Sequence, residues 1–327
     1  MKKLFRITGI LLAVAVLAVA GAAIYVKTAL PDVGPPPDLK VEATPERISR
    51  GSYLAHHVML CMDCHGRRDW NLYSGPPVPG SEGAGGEIFD QKMGFPGRFV
   101  STNLTPYGLK DWTDGELFRA ITCGVSKDGH ALFPVMPYLN YGKMEDEDIY
   151  AVIAYLRTLP PIENSLPQRE VDFPVSLLIN TMPAKGTAEK RPSPADQTAY
   201  GKYLFNAAGC GECHTNRKNG KAVGKYLAGG FEFMMPDGSL LRSPNITPHP
   251  TAGIGGWTEK AFVNRFKQYG TDSTKAPHAV AKGEIQTLMP WYMYAGMDTL
   301  DLKAMYAYLK TVEPVDETVT VYTPPKQ

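Results

Sequence analysis

The chain contains 327 residues, which is long enough for two domains that each enclose a core. Its 34 Lys and Arg residues almost balance its 33 Asp and Glu residues, so the composition excludes a bulk attraction to nucleic acid, and no nucleic-acid partner is expected. The 32 Gly and 28 Pro residues favour short helices joined by turn-rich loops over a bundle of long helices.

The N-terminal segment, residues 1–30, differs from the rest of the chain. Three basic residues near its start precede residues 7–26, which carry no charge. A helix of that length extends about 30 Å, the thickness of the hydrocarbon layer of a bilayer. We predict an uncleaved single-pass anchor in the inner membrane, and a cleaved secretory signal is the alternative. Because basic residues favour the cytoplasmic side, both interpretations place the body of the chain in the periplasm.

The body of the chain contains a repeat, because a set of landmarks occurs twice in the same order. The landmarks are Gly51, Tyr53, Leu54, Asn103, Thr105, Trp112, Thr113, Met136 and Pro137, and then Gly201, Tyr203, Leu204, Asn245, Thr247, Trp257, Thr258, Met289 and Pro290. Duplication of a domain explains this order better than a fold with a single core.

We therefore predict an all-α protein with two tandem domains behind the membrane helix. No sustained alternation of apolar and polar residues calls for a sheet. The predicted units are a Pro-rich tether at 31–44, a first domain at 45–162, a linker at 163–195, a second domain at 196–315 and a tail at 316–327.

Each predicted domain contains two helix signals. The hydroxyls of Thr113 and Thr258 are suited to cap a helix. An amphipathic pattern follows the acidic run from Glu145 to Asp148, and a matching pattern follows Asp298. Within the linker, the apolar run from Phe173 to Ile179 is predicted to pack against a domain, and membrane contact is the alternative.

The pentapeptide Cys-x-x-Cys-His occurs twice, and this motif indicates covalent haem attachment. Two thiols at this spacing can bond to the two vinyl groups of one haem, and the adjacent histidine then binds its iron. We predict two haem c groups, held by Cys61, Cys64 and His65 and by Cys210, Cys213 and His214. A thioredoxin-like pair and half of a zinc site are the alternatives, but the chain lacks the βαβ pattern or the second cysteine pair that these require.

Met136 and Met289 are the predicted sixth ligands of the two irons, because they occupy equivalent places in the repeat. A methionine is usually core filler. Here, however, each lies beside a proline on a loop before the last helix, which can hold the sulfur rigidly. A thioether ligand favours ferrous iron and fills the sixth position, so the pattern predicts electron transfer rather than oxygen or peroxide chemistry.

Four further residues are candidates for contact with the haem groups. The indoles of Trp112 and Trp257 are suited to donate to a propionate, and core packing is the alternative. Asn103 and Asn245 are candidates to brace a loop near the propionates, and an Asx turn before the proline is the alternative.

Cys123 has no counterpart in the second copy of the repeat. It is interpreted as a buried free thiol, with thiolate ligation to the first haem as the alternative. The five histidines outside the attachment motifs are predicted to be surface or loop residues. They are His56, His57, His130, His249 and His278.

Residues 101–138 carry a family resemblance. Their segments Asn-Leu-Thr-Pro, Asp-Trp-Thr-Asp, Gly-Val-Ser-Lys-Asp-Gly and Val-Met-Pro-Tyr resemble the cytochrome c subunits of membrane-bound alcohol and gluconate dehydrogenases. The resemblance covers residues 44–162 well and 196–315 more loosely. It implies class I cytochrome c domains with His and Met ligands, in subunits that pass electrons from a dehydrogenase to quinone. Family members usually carry three attachment motifs, whereas this chain has two.

We therefore predict a membrane-anchored periplasmic electron carrier of the respiratory chain. Its donor is expected to be a dehydrogenase or a quinol-oxidising complex, and its acceptor a terminal oxidase or a soluble cytochrome. One alternative is a diheme enzyme of the thiosulfate dehydrogenase or peroxidase type, with an open or cysteine-bound iron. The other is a haem subunit of a larger respiratory complex that serves mainly as a docking surface.

Overall fold

The computed structural model describes residues 1–218, 220–235, 237–270, 276–281 and 284–325. Twelve α-helices lie within these ranges. They are α1 Lys2–Ala29, α2 Pro45–Tyr53, α3 Cys61–Cys64, α4 Asp114–Cys123, α5 Tyr138–Tyr141, α6 Asp146–Leu156, α7 Val175–Leu178, α8 Gln197–Ala207, α9 Cys210–His214, α10 Glu259–Lys267, α11 Trp291–Tyr294 and α12 Thr299–Leu309. A π-helical turn spans Leu54–Val58, and 3-10 turns span Gln91–Met93 and Ile179–Thr181.

The prediction of an all-α fold is wrong in one respect, because the described residues also form eight short strands. They are β1 Ile88–Phe89, β2 Gly97–Val100, β3 Glu170–Val171, β4 Arg217–Lys218, β5 Lys221–Ala222, β6 Glu232–Met234, β7 Leu240–Arg242 and β8 Tyr322–Thr323. They pair antiparallel in the orders β1-β2-β3, β4-β5 and β6-β7-β8. Strands of two to four residues are too short to show an alternating pattern, so the sequence carries no signal for them.

The predicted helix starts are confirmed. The Thr113 hydroxyl accepts the backbone N–H of Glu116 at 3.1 Å, and the Glu116 carboxylate accepts the N–H of Thr113, which completes a capping box at α4. Thr258 caps α10 in the same position of the second copy. Helix α6 begins at Asp146, directly after Glu145, so its first turn is acidic as expected.

Two helix pairs form the framework of the first half (residues 45–162) and the second half (residues 196–315). Helix α2 packs on α6, and α8 packs on α12. Each pair crosses at a glycine. A Cβ atom on Gly51 would lie 1.8 Å from the carbonyl oxygen of Ala151, and one on Gly201 would lie 1.9 Å from that of Ala304. The helices therefore touch backbone to backbone.

The Gly201→Ala variant is expected to lose about 1–3 kcal/mol of unfolding free energy, because the added methyl group forces α8 and α12 apart. Thermal unfolding followed by circular dichroism measures this loss. Lys202→Ala, at an exposed position of the same helix, is the control and should unfold near the wild-type temperature. Equal melting temperatures for Gly201→Ala and Lys202→Ala would contradict the close crossing.

The two halves share one continuous apolar core, to which α2, α6, α8 and α12 all contribute. They also exchange reciprocal hydrogen bonds. The Tyr53 hydroxyl donates to the Asp301 carboxylate at 2.6 Å, and the Tyr203 hydroxyl donates to the Asp148 carboxylate at 2.7 Å. Each phenol oxygen also accepts a backbone N–H at the start of the same helix of the other half. Reciprocal contacts of this kind are characteristic of a twofold relation.

The π-helical turn at Leu54–Val58 is a one-residue insertion in the first half. Cys61 follows Gly51 by ten residues, whereas Cys210 follows Gly201 by nine. The additional residue is accommodated by the wider turn, in which the N–H of Met59 reaches the carbonyl of Leu54 at 2.7 Å. The turn carries His56 and His57, which are half-buried, so their prediction as surface or loop residues is wrong.

Helix α1 is long and apolar enough to cross a membrane, and a signal sequence at this position would meet the same criteria. Its C-terminal end contacts the linker, where the Asn180 side chain donates to the carbonyl of Val26 at 3.3 Å.

The apolar run of the linker, from Phe173 to Ile179, packs as predicted only in part. Ile179 is buried against Phe99 and Ala131. Phe173, however, is 83% exposed.

Candidate haem-binding sites

The two attachment motifs form short helices, and the residue before each helix has the same backbone conformation. Leu60 precedes α3 at φ 57°, and Gly209 precedes α9 at φ 66°. Both residues are in the left-handed region, which redirects the chain into the helix. The cysteines of each motif are three residues apart, a spacing that places them on one side of a helical turn. All four thiols are free of disulfide bonds and therefore available for thioether formation.

The two motif histidines are oriented by backbone carbonyls. His65 Nδ1 donates to the Thr102 carbonyl at 2.7 Å, and His214 Nδ1 donates to the Pro244 carbonyl at 2.9 Å. Because a carbonyl only accepts, the proton is assigned to Nδ1 and Nε2 is left as the metal-binding nitrogen. Burial lowers the pKa of both imidazoles, and the carbonyl contact opposes this only partly. Both rings are therefore neutral, as a ligand must be.

The orienting carbonyls belong to loops that Asn103 and Asn245 hold in place. Asn103 Oδ1 accepts the N–H and the hydroxyl of Thr105 at 2.9 and 2.7 Å, and its amide donates to the Ile162 carbonyl at 2.8 Å. Asn245 makes the same three bonds, to Thr247 and Val315. The Asx turn is therefore present in both halves. Since Thr102 and Pro244 directly precede these residues, each asparagine braces the carbonyl that orients a histidine.

Met136 and Met289 lie on turns of identical design. Pro137 has φ −79° and ψ 54°, Pro290 has φ −79° and ψ 65°, and the N–H of the following residue reaches the methionine carbonyl at 2.8 Å in both cases. This is an inverse γ-turn, in which the proline ring fixes φ. Both methionines are half-buried against the apolar core.

Each methionine turn is tied to the attachment motif of its own half. The Tyr141 hydroxyl donates to the Met59 carbonyl at 2.7 Å, and the Tyr294 hydroxyl donates to the Ala208 carbonyl at 2.7 Å. Each accepting residue lies two positions before the first cysteine of a motif. The donor set of each half, two thiols, one oriented imidazole and one thioether on a rigid turn, therefore fits a covalently attached haem.

Residues 198–313 match the cytochrome c family. This segment is thus similar to cytochrome c. The chain is 32% identical over 81% of its length to the fructose dehydrogenase cytochrome subunit of Gluconobacter japonicus, of which it covers 52%. It is 28% identical over 84% of its length to the alcohol dehydrogenase (quinone) cytochrome c subunit of Gluconacetobacter polyoxogenes, covering 58%. It is 28% identical over 86% of its length to the gluconate 2-dehydrogenase cytochrome c subunit of Pantoea cypripedii, covering 63%.

The chain is thus related to the cytochrome c subunits of dehydrogenases, as the resemblance in residues 101–138 predicted. It spans between 52% and 63% of the length of these relatives. This relationship supports covalently bound haem c.

Trp112 and Trp257 differ in their surroundings. Trp112 packs against the core, and its carbonyl accepts from Arg157 at 2.5 Å. In the second half, Trp257 is 39% exposed and lines an open cleft of about 790 Å³ together with Arg265 and Lys267. Donation from either indole to a propionate stays a prediction.

Sequence reasoning missed Tyr138, which follows the Met136 turn. Its side chain is fully buried, and its hydroxyl has no hydrogen-bond partner among the described residues. Burial raises the pKa of this phenol, so it remains a donor at neutral pH. A buried donor at this place fits an acceptor group of a bound cofactor.

Cys123 is a buried free thiol at the end of α4, as predicted. Its sulfur lies 3.4 Å from the Thr122 hydroxyl. Thiolate ligation to the first haem stays a hypothesis.

Proposed function

We propose that this chain is a membrane-anchored periplasmic electron-transfer subunit with two tandem class I cytochrome c domains, at 45–162 and 196–315. Each domain binds one covalently attached haem c. Cys61 and Cys64 attach the first, and His65 and Met136 ligate its iron. Cys210 and Cys213 attach the second, and His214 and Met289 ligate its iron.

One observation supports this proposal above all others: both halves contain the same donor set held by the same bonds. In each half a backbone carbonyl orients the histidine, an asparagine braces that carbonyl, and a proline fixes the methionine turn. Independent preservation of three such details is not expected of a degenerate copy. The second half is therefore proposed to bind its own haem rather than to serve as a scaffold.

When bound, haem c supplies one-electron chemistry at its iron. The side chains of the protein set the conditions for it. The Nδ1–H donation fixes the imidazole plane and increases its basicity. A methionine thioether that held the iron would favour its reduced state and would keep small molecules away from it. These roles favour electron transfer over substrate turnover.

The partners are inferred from the relatives, whose names associate them with fructose, alcohol and gluconate dehydrogenases. We infer that the donor is a dehydrogenase or a quinol-oxidising complex, and that the acceptor is a terminal oxidase or a soluble cytochrome. Helix α1, through residues 7–26, would hold the subunit at the inner membrane beside such partners.

The number of haem groups tests the proposal directly. Intact-mass spectrometry of the denatured protein, produced in a host with a haem-attachment system, is expected to show two covalent haem additions. The pair Cys61→Ser with Cys64→Ser should show one, as should Cys210→Ser with Cys213→Ser. Cys123→Ser is the control and should retain both. One addition or none in the wild type would contradict two haem domains.

A further inference from the structure

A loop of the first half reaches the methionine turn of the second half. This bridging loop, residues 68–75, follows the first attachment motif. The Ser74 hydroxyl donates to the Met289 carbonyl at 2.5 Å and accepts the backbone N–H of Trp291 at 3.1 Å. The single hydroxyl therefore contacts both ends of the inverse γ-turn that carries Met289.

The backbone of the bridging loop is built to present this hydroxyl. Ser74 is 1% exposed and adopts φ 64°, a left-handed conformation that is unfavourable for a residue other than glycine. Arg68 donates to the carbonyls of Ser74 and Gly75 at 2.9 and 2.8 Å. The same guanidinium pairs with Asp63 at 3.3 Å, and both side chains are nearly inaccessible to solvent. Asp63 lies between Cys61 and Cys64.

The second half holds the loop from the other side. Gln286, three residues before Met289, accepts the N–H of Ser74 at 2.7 Å and donates to the carbonyls of Trp70 and Leu72 at 3.1 and 2.9 Å. The side chain of Tyr73 stacks on Tyr269, and Tyr269 stacks on Trp291, with ring centroids 5.8 and 5.2 Å apart. Side chains of both halves therefore bond to the backbone of the other half at this contact.

We propose that Ser74 is a positioning residue for Met289, so that the first half completes the iron site of the second half. The proposal rests on the proposed function, because it takes Met289 as an iron ligand. A continuous polar path from Asp63 through Arg68 and Ser74 to the Met289 carbonyl connects the first attachment motif to the second ligand turn. Loss of the Ser74 hydroxyl frees this turn and weakens the iron–sulfur bond at one site.

Imidazole binding to the ferric full-length protein tests this role, because imidazole competes with a loosely held thioether. Ser74→Ala is expected to increase the imidazole affinity of one of the two irons about 10-fold, through the loss of two hydrogen bonds. Ser74→Gly removes the same hydroxyl but tolerates φ 64°, and it should give the same change if the fold is intact. The red absorption band of thioether-ligated ferric haem should weaken at that site alone.

Ser81→Ala is the matched control. Ser81 is equally buried in the same region, and its described hydroxyl contacts, with Arg67 and Val78, lie within the first half. It should leave imidazole affinity unchanged. The proposal is overturned if Ser74→Ala and Ser74→Gly bind imidazole like the wild type, or if Ser81→Ala shows the same increase. Met289→Ala distinguishes a failure of the Ser74 proposal from a failure of the proposed function. If this variant does not open an iron to imidazole, Met289 is not the iron ligand.

Discussion

Replacement of Met289 by alanine is expected to lower the reduction potential of one iron by roughly 0.2 V, a fraction of the ~0.8 V range that axial ligands span. The physical reason is that a thioether stabilises ferrous iron, and its loss favours the ferric state. Met136→Ala should produce the same change at the other iron. Spectroelectrochemical titration of each variant, with the two irons fitted separately, measures both potentials.

Neighbouring methionines provide the controls for this experiment. Met293 lies four residues after Met289 and is buried, and Met144 is buried in the first half. Replacement by leucine preserves apolar volume at both positions. Met293→Leu and Met144→Leu should therefore leave both potentials close to the wild-type values. A potential that stays constant in Met289→Ala or Met136→Ala would show that the iron concerned has another ligand.

The Asp148→Asn variant is expected to lose about 3 kcal/mol of unfolding free energy. The Asp148 side chain is almost completely buried and accepts hydrogen bonds from Arg50 at 2.9 Å, from Arg191 at 2.6 Å and from Tyr203 at 2.7 Å. Neutralising it removes the carboxylate that pairs with Arg50 and the closer of the two that pair with Arg191, whose other partner is Glu145 at 3.8 Å. Both arginines are partly exposed, which keeps the loss at the lower end of the range for such sites. Urea unfolding at pH 7 measures the loss.

The difference in unfolding free energy between the wild type and Asp148→Asn should depend on pH. Burial alone would raise the pKa of Asp148, but its bonds and charge interactions with Arg50, Tyr203 and Arg191 outweigh burial and hold the pKa below 3.8. The carboxylate therefore stabilises the fold above pH 3.8, and this contribution is lost as the pH falls through the folded-state pKa. The difference in unfolding free energy should therefore become smaller as the pH is lowered. A difference that is constant from pH 7 to about pH 3 would contradict the charge interaction.

Asp301→Asn is the matched control, because Asp301 occupies the corresponding place in α12. Its carboxylate accepts from Tyr53, and burial raises its pKa despite that bond. The ionised form is therefore already disfavoured, and an amide should replace it with a smaller loss than at Asp148. If both variants lose the same unfolding free energy, hydrogen bonding and not charge is the contribution that each carboxylate makes to stability.

Local signals in the sequence predicted the helix starts and the site residues that come from short motifs. The hydroxyls of Thr113 and Thr258 cap their helices because capping involves neighbours three residues away. The Met-Pro pairs form identical turns because proline fixes its own φ. Their assignment as iron ligands stays a prediction, as does the division of the chain into two haem domains.

Contacts between distant segments were not predictable. The acceptors for His65 and His214 are backbone carbonyls, which every residue possesses, so no side chain marks them. Ser74 depends on a left-handed backbone and a partner 215 residues away, and neither has a local sequence signal. Two of the strand pairings, β2 with β3 and β7 with β8, likewise join segments far apart in the sequence. The one-residue insertion before Cys61 was visible in the spacing of the repeat, but its π-helical form was not.

The crossed phenol–carboxylate bonds between the halves have a kinetic consequence. Tyr53 and Tyr203 each fasten one half to the helix start of the other, and a shared core lies between them. Halves joined in this way cannot swing apart as tethered modules do. If each half binds a haem as proposed, the distance between the two haem groups should be constant, and electron exchange between them should proceed at the same speed in dilute buffer and in viscous glycerol solution.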